Sequence, residues 1–273
     1  MSGDDLSHTP LGKQSSASLH YDPAQLCAIP RVKTWENRGF ECVPWHGVDI
    51  WNAWEVSWLN AGGLPQVALG EFRIPAVSPN IIESKSLKLY LNSFNETVFE
   101  NYEAVAATIK TDLSQCAGEE VMIVLGKVDE ALNTQLALTG ECLDRLSVEI
   151  QEYNCNPKLL KTEDTRVENQ KRFSHLLKSN CPVTGQPDWG SVWIEYSGNT
   201  IVDESLLKYI VSYRRQSDFH EQCVENMFLD ILTECQPDSL TVYARYLRRG
   251  GLDINPWRST ENTPVANERL LRQ

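Results

Sequence analysis

The residue pattern with the most chemical content is Cys181-Pro182-Val183-Thr184-Gly185-Gln186-Pro187-Asp188-Trp189-Gly190, a thiol and a carboxylate separated by a segment that cannot be helical. Two prolines and two glycines force a tight loop ahead of a strand. Such a loop can fold back and bring Asp188 towards the Cys181 sulfur. The carboxylate would then take the thiol proton as sulfur attacks an electrophile and return it to the product of that attack. A buried cysteine in a turn would leave the same trace. The first half of the chain also holds a rival, Cys42-Val43-Pro44-Trp45-His46-Gly47-Val48-Asp49, with the same interval before a similar strand. Spacing does not choose between them.

Three further clusters are suited to holding a ligand. Asp218-Phe219-His220-Glu221-Gln222-Cys223 opens a predicted helix and offers an aromatic face, an imidazole and a carboxylate, suited to stacking a flat heterocycle and accepting hydrogen bonds from its edge. Ile82-Glu83-Ser84-Lys85-Ser86-Leu87-Lys88-Leu89-Tyr90 reads as an alternating strand presenting carboxylate, hydroxyls and cations close together. Arg248-Arg249-Gly250-Gly251 follows the last long strand, where glycines let backbone amides approach an anion and arginines can grip phosphate.

The elements that must position these groups form an order that repeats. Trp51–Leu59 and Gln66–Ile74 flank a Gly-Gly-Leu-Pro turn as a hairpin, and an extended stretch follows Pro79. Val98, Phe99, Tyr102, Val105, Ile109 and Leu113 fall at helical spacing, and Val121–Leu125 is a short buried strand. In the second half Val192, Ile194 and Tyr196 alternate, and Leu206–Tyr213 is strand-like. Val224, Met227, Phe228 and Ile231 then mark a helix face, and Leu240–Tyr246 alternates again. Glu83-Ser84-Lys85-Ser86-Leu87-Lys88-Leu89-Tyr90 echoes Glu204-Ser205-Leu206-Leu207-Lys208-Tyr209, and Asp49-Ile50-Trp51 echoes Pro187-Asp188-Trp189. This suggests a duplicated domain, with residues 129–172 as a linker and the first 25 residues as a partly ordered arm.

Composition narrows the partners. The 273 residues are 41% apolar and 23% charged, as in ordinary soluble globular proteins. A formal charge of −12 disfavours a nucleic-acid partner, which needs a basic surface. No apolar run approaches membrane-spanning length and the start is acidic and polar, so a cytoplasmic protein without membrane contact is expected. The eight cysteines are then expected as reduced thiols. With no CxxC pair and no HExxH, a metal site is not expected. GxGxxG and GxxxxGK[ST] are both missing, so any nucleotide is held by other means.

Taken together, Glu-Ser-Lys-Ser-Leu-Lys-Leu-Tyr from Glu83, Cys-Pro-Val-Thr-Gly-Gln-Pro-Asp-Trp-Gly from Cys181, Asp-Phe-His-Glu from Asp218 and Arg-Arg-Gly-Gly-Leu-Asp-Ile-Asn-Pro-Trp-Arg from Arg248 resemble the NADPH-dependent 7-cyano-7-deazaguanine reductases. These are the QueF-type nitrile reductases of queuosine biosynthesis, a tRNA-modification pathway, here in their long two-domain form. The resemblance runs from about Leu26 to Asn262. It implies an α+β tunnelling fold (T-fold), two tandem antiparallel-sheet domains with layered helices at 26–135 and 136–273, and assembly as a homodimer. It favours Cys181 over Cys42, whose segment lacks the Gly-Gln-Pro portion.

By motif, Cys181 is implied as the covalent nucleophile, Asp188 as its proton partner and His220 as a second proton donor. Phe219 would flank the base, while Glu221, Glu83 and the backbone of Ile82 and Ser84 would accept from its ring donors. Ser84, Lys85, Arg249 and Gly250 match positions that hold NADPH, two of which would be used per deazaguanine reduced. Cys223, one helical turn after His220, could form a protective disulfide with Cys181. The alternatives are a zinc-dependent purine or pterin cyclohydrolase and a non-catalytic protein that binds a base.

Overall fold

The computed structural model describes residues 18–33, 35–129 and 135–273. They fall into two compact units, each combining antiparallel strands with helices, which is the expected α+β class. The first unit takes its described residues up to Arg31, those from Ile50 to 129, and Arg248–Asp253; the second takes Val32–Asp49, Gln135–Leu247 and Ile254–Gln273.

In the first unit a short β1 (Ala28–Pro30) precedes the long hairpin of β2 (His46–Leu59, from Ile50 onward in this unit) and β3 (Pro65–Pro75). Then come β4 (Asn80–Ile82), α1 (Ser84–Asn92), α2 (Tyr102–Ala117) and β5 (Met122–Gly126). The five-residue connection between β2 and β3 allows only an antiparallel pair, and β5 pairs antiparallel on the far side of β3. β1 pairs antiparallel with β4, with Ala28 opposite Ile82. Val105, Ile109 and Leu113 of α2 are fully buried at four-residue spacing, and Asn101 caps its first turn by accepting from the Ala104 N–H at 2.8 Å.

The second unit contains β6 (Gln135–Leu136), β7 (Glu141–Cys142), β8 (Thr162–Ser174), β9 (Lys178–Asn180) and β10 (Pro187–Ile201). These are followed by α3 (Asp203–Ser212), α4 (His220–Cys235), β11 (Ser239–Tyr246), β12 (Leu252–Ser259, from Ile254 in this unit) and β13 (Arg269–Leu270). Its sheet runs β12-β11-β10-β8-β7, with β9 also pairing β10, and β13 pairs parallel with β6. Val224, Met227, Phe228 and Ile231 of α4 are all buried, as the helical spacing predicted.

Four expectations are corrected. Residues 84–92 are a helix instead of a strand. Glu83 is its N-cap, accepting from the Lys85 and Ser86 N–H groups at 2.7 Å each, and Leu87, Tyr90 and Leu91 bury one helical face. The echoing segment from Glu204 is likewise helical, within α3. β5 is an outer strand with Met122 and Val124 exposed, not a buried one. Of the expected linker, Thr162 onward is strand β8 paired along β10, and 130–134 lie outside the described residues, as do residues 1–17 of the expected arm. Tyr21 of that arm is anchored: its hydroxyl donates to Asp112 at 2.7 Å and its ring packs edge-on against Phe94.

The second unit's core encloses charge. Arg258, completely buried, pairs with Asp49 at 2.8 Å and Glu225 at 2.7 Å. Burial alone would favour its neutral form, but the two carboxylates override this and raise its pKa. Replacing Arg258 with Met should therefore cost about 3–5 kcal/mol, since it takes the guanidinium away from two buried carboxylates; a urea-melt loss below about 1 kcal/mol would show that their remaining contacts suffice. Burial also raises the Glu83 carboxyl above its usual range, against the opposing pull of the Lys85 and Ser86 N–H groups. The folded state thus holds this proton more tightly than the unfolded one, and the associated stability is lost as pH rises through the raised pKa. The stability of Glu83→Gln relative to the unmutated chain should accordingly grow as pH rises from about 4, the ordinary glutamate range, through the raised pKa; urea melts giving a pH-independent difference would contradict this.

Candidate active site

The Cys181 loop joins β9 to β10. The Cys181 N–H donates to the Gln186 carbonyl at 2.9 Å and its carbonyl accepts from the Gly185 N–H at 3.0 Å, with Gly185 in the left-handed region at φ +66°. Both backbone groups of Cys181 are thus spent on closing the loop, and the half-buried thiol is the group left for chemistry. The loop is tied to the segment leading into α4. The Gln216 carbonyl accepts from the Asn180 N–H at 2.8 Å and from its Nδ2 at 3.0 Å.

Strand alternation turns Pro187 and Trp189 outward and Asp188 and Gly190 inward. Asp188 is only 3% exposed, opposite Ser179 on β9, and its Oδ1 lies 3.7 Å from Nε2 of His220. His220 is the first residue of α4, behind Phe219, whose N–H donates to the Gln222 side chain at 3.3 Å. The His220 ring stands perpendicular to Tyr246 at a centroid distance of 4.2 Å. Glu221 is buried in the same first turn. Asp218, just before it, has its carboxyl pKa raised by burial and is held by Gln216 and Asn226. Cys223 is sealed, and burial followed by the charge of Asp218 pushes its thiol well above the ordinary range.

The second unit therefore gathers the Cys181 loop, Asp188, Phe219, His220 and Glu221 around the junction of β9, β10 and α4. The rival pair behaves differently: Cys42 is exposed, and Asp49 is committed to Arg258.

In the first unit Glu83 is fully buried and Ile82 is held in the β1–β4 pair. Ser84 and Lys85 open α1. The Arg249–Leu252 turn has Gly250 and Gly251 at φ +59° and +80°, the conformation of a two-residue hairpin turn. It is fastened to β2 by the Trp54 N–H donating to the Gly251 carbonyl at 2.9 Å, and Arg248 lies over the Trp54 ring at 3.9 Å. A Cβ at Gly250 would sit 3.2 Å from Cδ and Cε of Lys88, so the bare backbone rests on that lysine. Lys85 precedes Lys88 by one helical turn on the same side of α1. Lys85, Lys88 and Arg249 around an exposed glycine backbone fit the phosphates of a dinucleotide. Sequence reasoning assigned Lys88 no role because its place beside Gly250 is a tertiary contact.

Among the described residues no group of three or more His, Cys, Asp or Glu is arranged to hold a metal ion, and no helix is long and apolar enough to cross a membrane.

Residues 18–125 match the family described as nitrile reductase, 7-cyano-7-deazaguanine-reductase N-term, and residues 187–264 match the QueF-like protein family. The first match contains Ile82–Lys85. The second contains Asp188, Phe219–Glu221 and Arg249–Gly250, and Cys181 lies between the two. A solved structure of the archaeosine synthase QueF-Like in the apo form is 20% identical, covering 38% of this chain and 100% of its own, at a TM-score of 0.30. With two matches of one family together covering more than half of its length, the chain belongs to the QueF-type 7-cyano-7-deazaguanine reductases, a family of nitrile reductases.

Proposed function

We propose that this chain reduces the nitrile of 7-cyano-7-deazaguanine to the aminomethyl group of 7-aminomethyl-7-deazaguanine, with NADPH as the reductant and Cys181 as a covalent nucleophile. The observation that carries this beyond family membership is the pair of buried Asp188 and half-buried His220 at the base of the Cys181 loop. A nitrile carbon is a weak electrophile and a thiol at neutral pH is mostly protonated, so addition needs a base for sulfur and an acid for nitrogen. Asp188 serves both needs. It takes the Cys181 proton as the S–C bond forms and delivers it to the nitrile nitrogen, giving a thioimide.

NADPH, when bound, supplies hydride. The first hydride, with one proton, turns the thioimide into a tetrahedral aminothioether; the C–S bond then breaks, sulfur recovers its proton and an imine remains. A second hydride and proton give the amine, so two NADPH and two protons are consumed. His220, facing Asp188, provides a second protonating group near the reacting carbon. Within the second unit Phe219 flanks the base and Glu221 accepts from its ring donors; within the first, Glu83 and the backbone of Ile82 and Ser84 offer acceptors of the kind such a ring needs. Each Glu83 oxygen already accepts one helix N–H and keeps a lone pair for the ring. Ser84, Lys85, Arg249 and Gly250, with Lys88 added, hold the cofactor phosphates.

The eight cysteines are all unpaired, which suits a reducing cytoplasm. The exposed Met122 and Val124 on the outer strand β5 suit a second copy of the chain in a homodimer.

Mixing the protein with the cyano base and no cofactor should add the mass of one intact base, mapped by peptide analysis to Cys181. Cys181→Ala should lose both this adduct and base-dependent NADPH oxidation. Asp188→Asn should slow turnover by about 10²–10⁴-fold. A Cys181→Ala protein that still turned over would overturn the covalent reading, and turnover that required added zinc would favour cyclohydrolase-type chemistry. Base affinity unaltered in Cys181→Ala, with no turnover in the unmutated chain to lose, would identify a binding protein.

A further inference from the structure

Tyr246 ends β11 and has no part in the chemistry above, yet it touches the group that chemistry relies on. Its side chain is fully buried, and its ring meets the His220 imidazole at 4.2 Å and 89°. Strand pairing sets Tyr246 opposite Gly190, which shares the inward face of β10 with Asp188. A Cβ at Gly190 would fall 3.1 Å from Cδ1 and 3.3 Å from Cε1 of the Tyr246 ring, and 3.3 Å from the Arg245 carbonyl. The φ of Gly190 lies outside the left-handed region, so its backbone does not demand glycine. Space demands it: the tyrosine ring occupies what a side chain would need.

The backbone around Tyr246 is held from both sides. Its carbonyl accepts from Gln273 Nε2 at 2.9 Å, and the next N–H, of Leu247, donates to the Trp189 carbonyl at 2.8 Å. The hydroxyl end lies buried towards Ser179 and Cys223. The ring has no freedom to follow the imidazole; the imidazole must conform to the ring. His220 needs such a partner because the last torsion of a histidine side chain is broad and roughly two-fold. The wall narrows that torsion to the orientation in which Nε2 faces Asp188.

We propose that Tyr246 is a positioning residue for nitrile reduction: its ring, admitted by the missing side chain of Gly190, fixes the plane of the His220 imidazole against Asp188. This rests on the role given to His220 above. Ring contact, not the hydroxyl, carries the effect. The thioimide step, which needs Cys181 and Asp188, should survive loss of the ring, and the reductive steps should not.

The test uses the full chain with Tyr246→Leu, Tyr246→Phe and Gly190→Ala, measuring the cofactor-free Cys181 adduct by intact mass, kcat and KM for the base, and the thermal midpoint. All three variants should form the adduct. Tyr246→Leu should lose about tenfold or more in kcat with KM within about twofold, and Gly190→Ala, whose methyl displaces the ring by a few tenths of an ångström, should lose less in the same pattern. Tyr246→Phe should restore kcat to within about threefold of the unmutated chain. If Tyr246→Leu lowers the thermal midpoint so far that the protein is unfolded under assay, Gly190→Ala decides. Unchanged kcat in Gly190→Ala and Tyr246→Leu, or Tyr246→Phe as impaired as Tyr246→Leu, would overturn the inference. Absence of any adduct in the unmutated chain would instead overturn the reading of Cys181, and the inference with it.

Discussion

Asp188 and His220 stand on different elements, one within a strand and one at the first turn of a helix, and their 3.7 Å separation depends on the register between those elements. That register is fixed by the β9–β10 pairing and by Gln216, whose one carbonyl receives two hydrogen bonds from Asn180. The comparison with other buried acids of the same unit shows what is unusual about the pair. Asp49 and Glu225 share the guanidinium of Arg258, and Asp230 is met by Arg38 and by the Tyr209 hydroxyl at 2.5 Å. Arginine does not surrender its proton in a protein, so those acids face a fixed positive charge. Asp188 faces an imidazole, a side chain able both to donate and to accept a proton. A carboxylate set against a titratable partner is suited to moving protons, whereas one set against arginine is suited to holding a fold.

The first unit illustrates where sequence was legible and where it was not. The hairpin, α2, α4 and β11 follow from periodicity because each has one apolar face against the core and nothing local to contradict it. The segment from Glu83 misled because serines and lysines alternate with leucines over a few residues, which imitates a strand. The spacing of Leu87, Tyr90 and Leu91 fits a helix, but the decisive signal is Glu83 acting as a cap, and glutamate is not among the usual capping residues. The echoing segment around Glu204 is likewise helical, within α3, where its pattern predicts a strand.

The site shows the same division. Cys181, Asp188, Phe219, His220 and Glu221 were visible because they sit in two short motifs whose residue types are rare in combination, and the geometry gathers them within one unit. Lys88 and Tyr246 were not visible. One resembles any surface lysine and the other any core tyrosine; each acquires its place through a glycine on a distant strand or turn that leaves room for it. The glycines could be read in the sequence, at Arg-Gly and Trp-Gly, but what fills the space beside them could not.

Charge poses a last question, since a chain of net charge −12 is assigned an anionic cofactor. Charges further apart than about 8–10 Å are largely screened at physiological salt, so the local set matters more than the total. In the first unit that set is Lys85, Lys88, Arg248 and Arg249 beside the Gly250 backbone. The start of α1 would ordinarily add its positive end to such a site, but Glu83 already accepts two of its free N–H groups. The helix end is therefore neutralised by its own cap. On the proposed function, phosphate at this place would be held by the lysine and arginine side chains, while the carboxylate that silences the helix end would accept from a neutral, hydrogen-bond-donating ring. On that reading one short helix would separate two demands, cations along its side for the cofactor and an acceptor at its tip for the base.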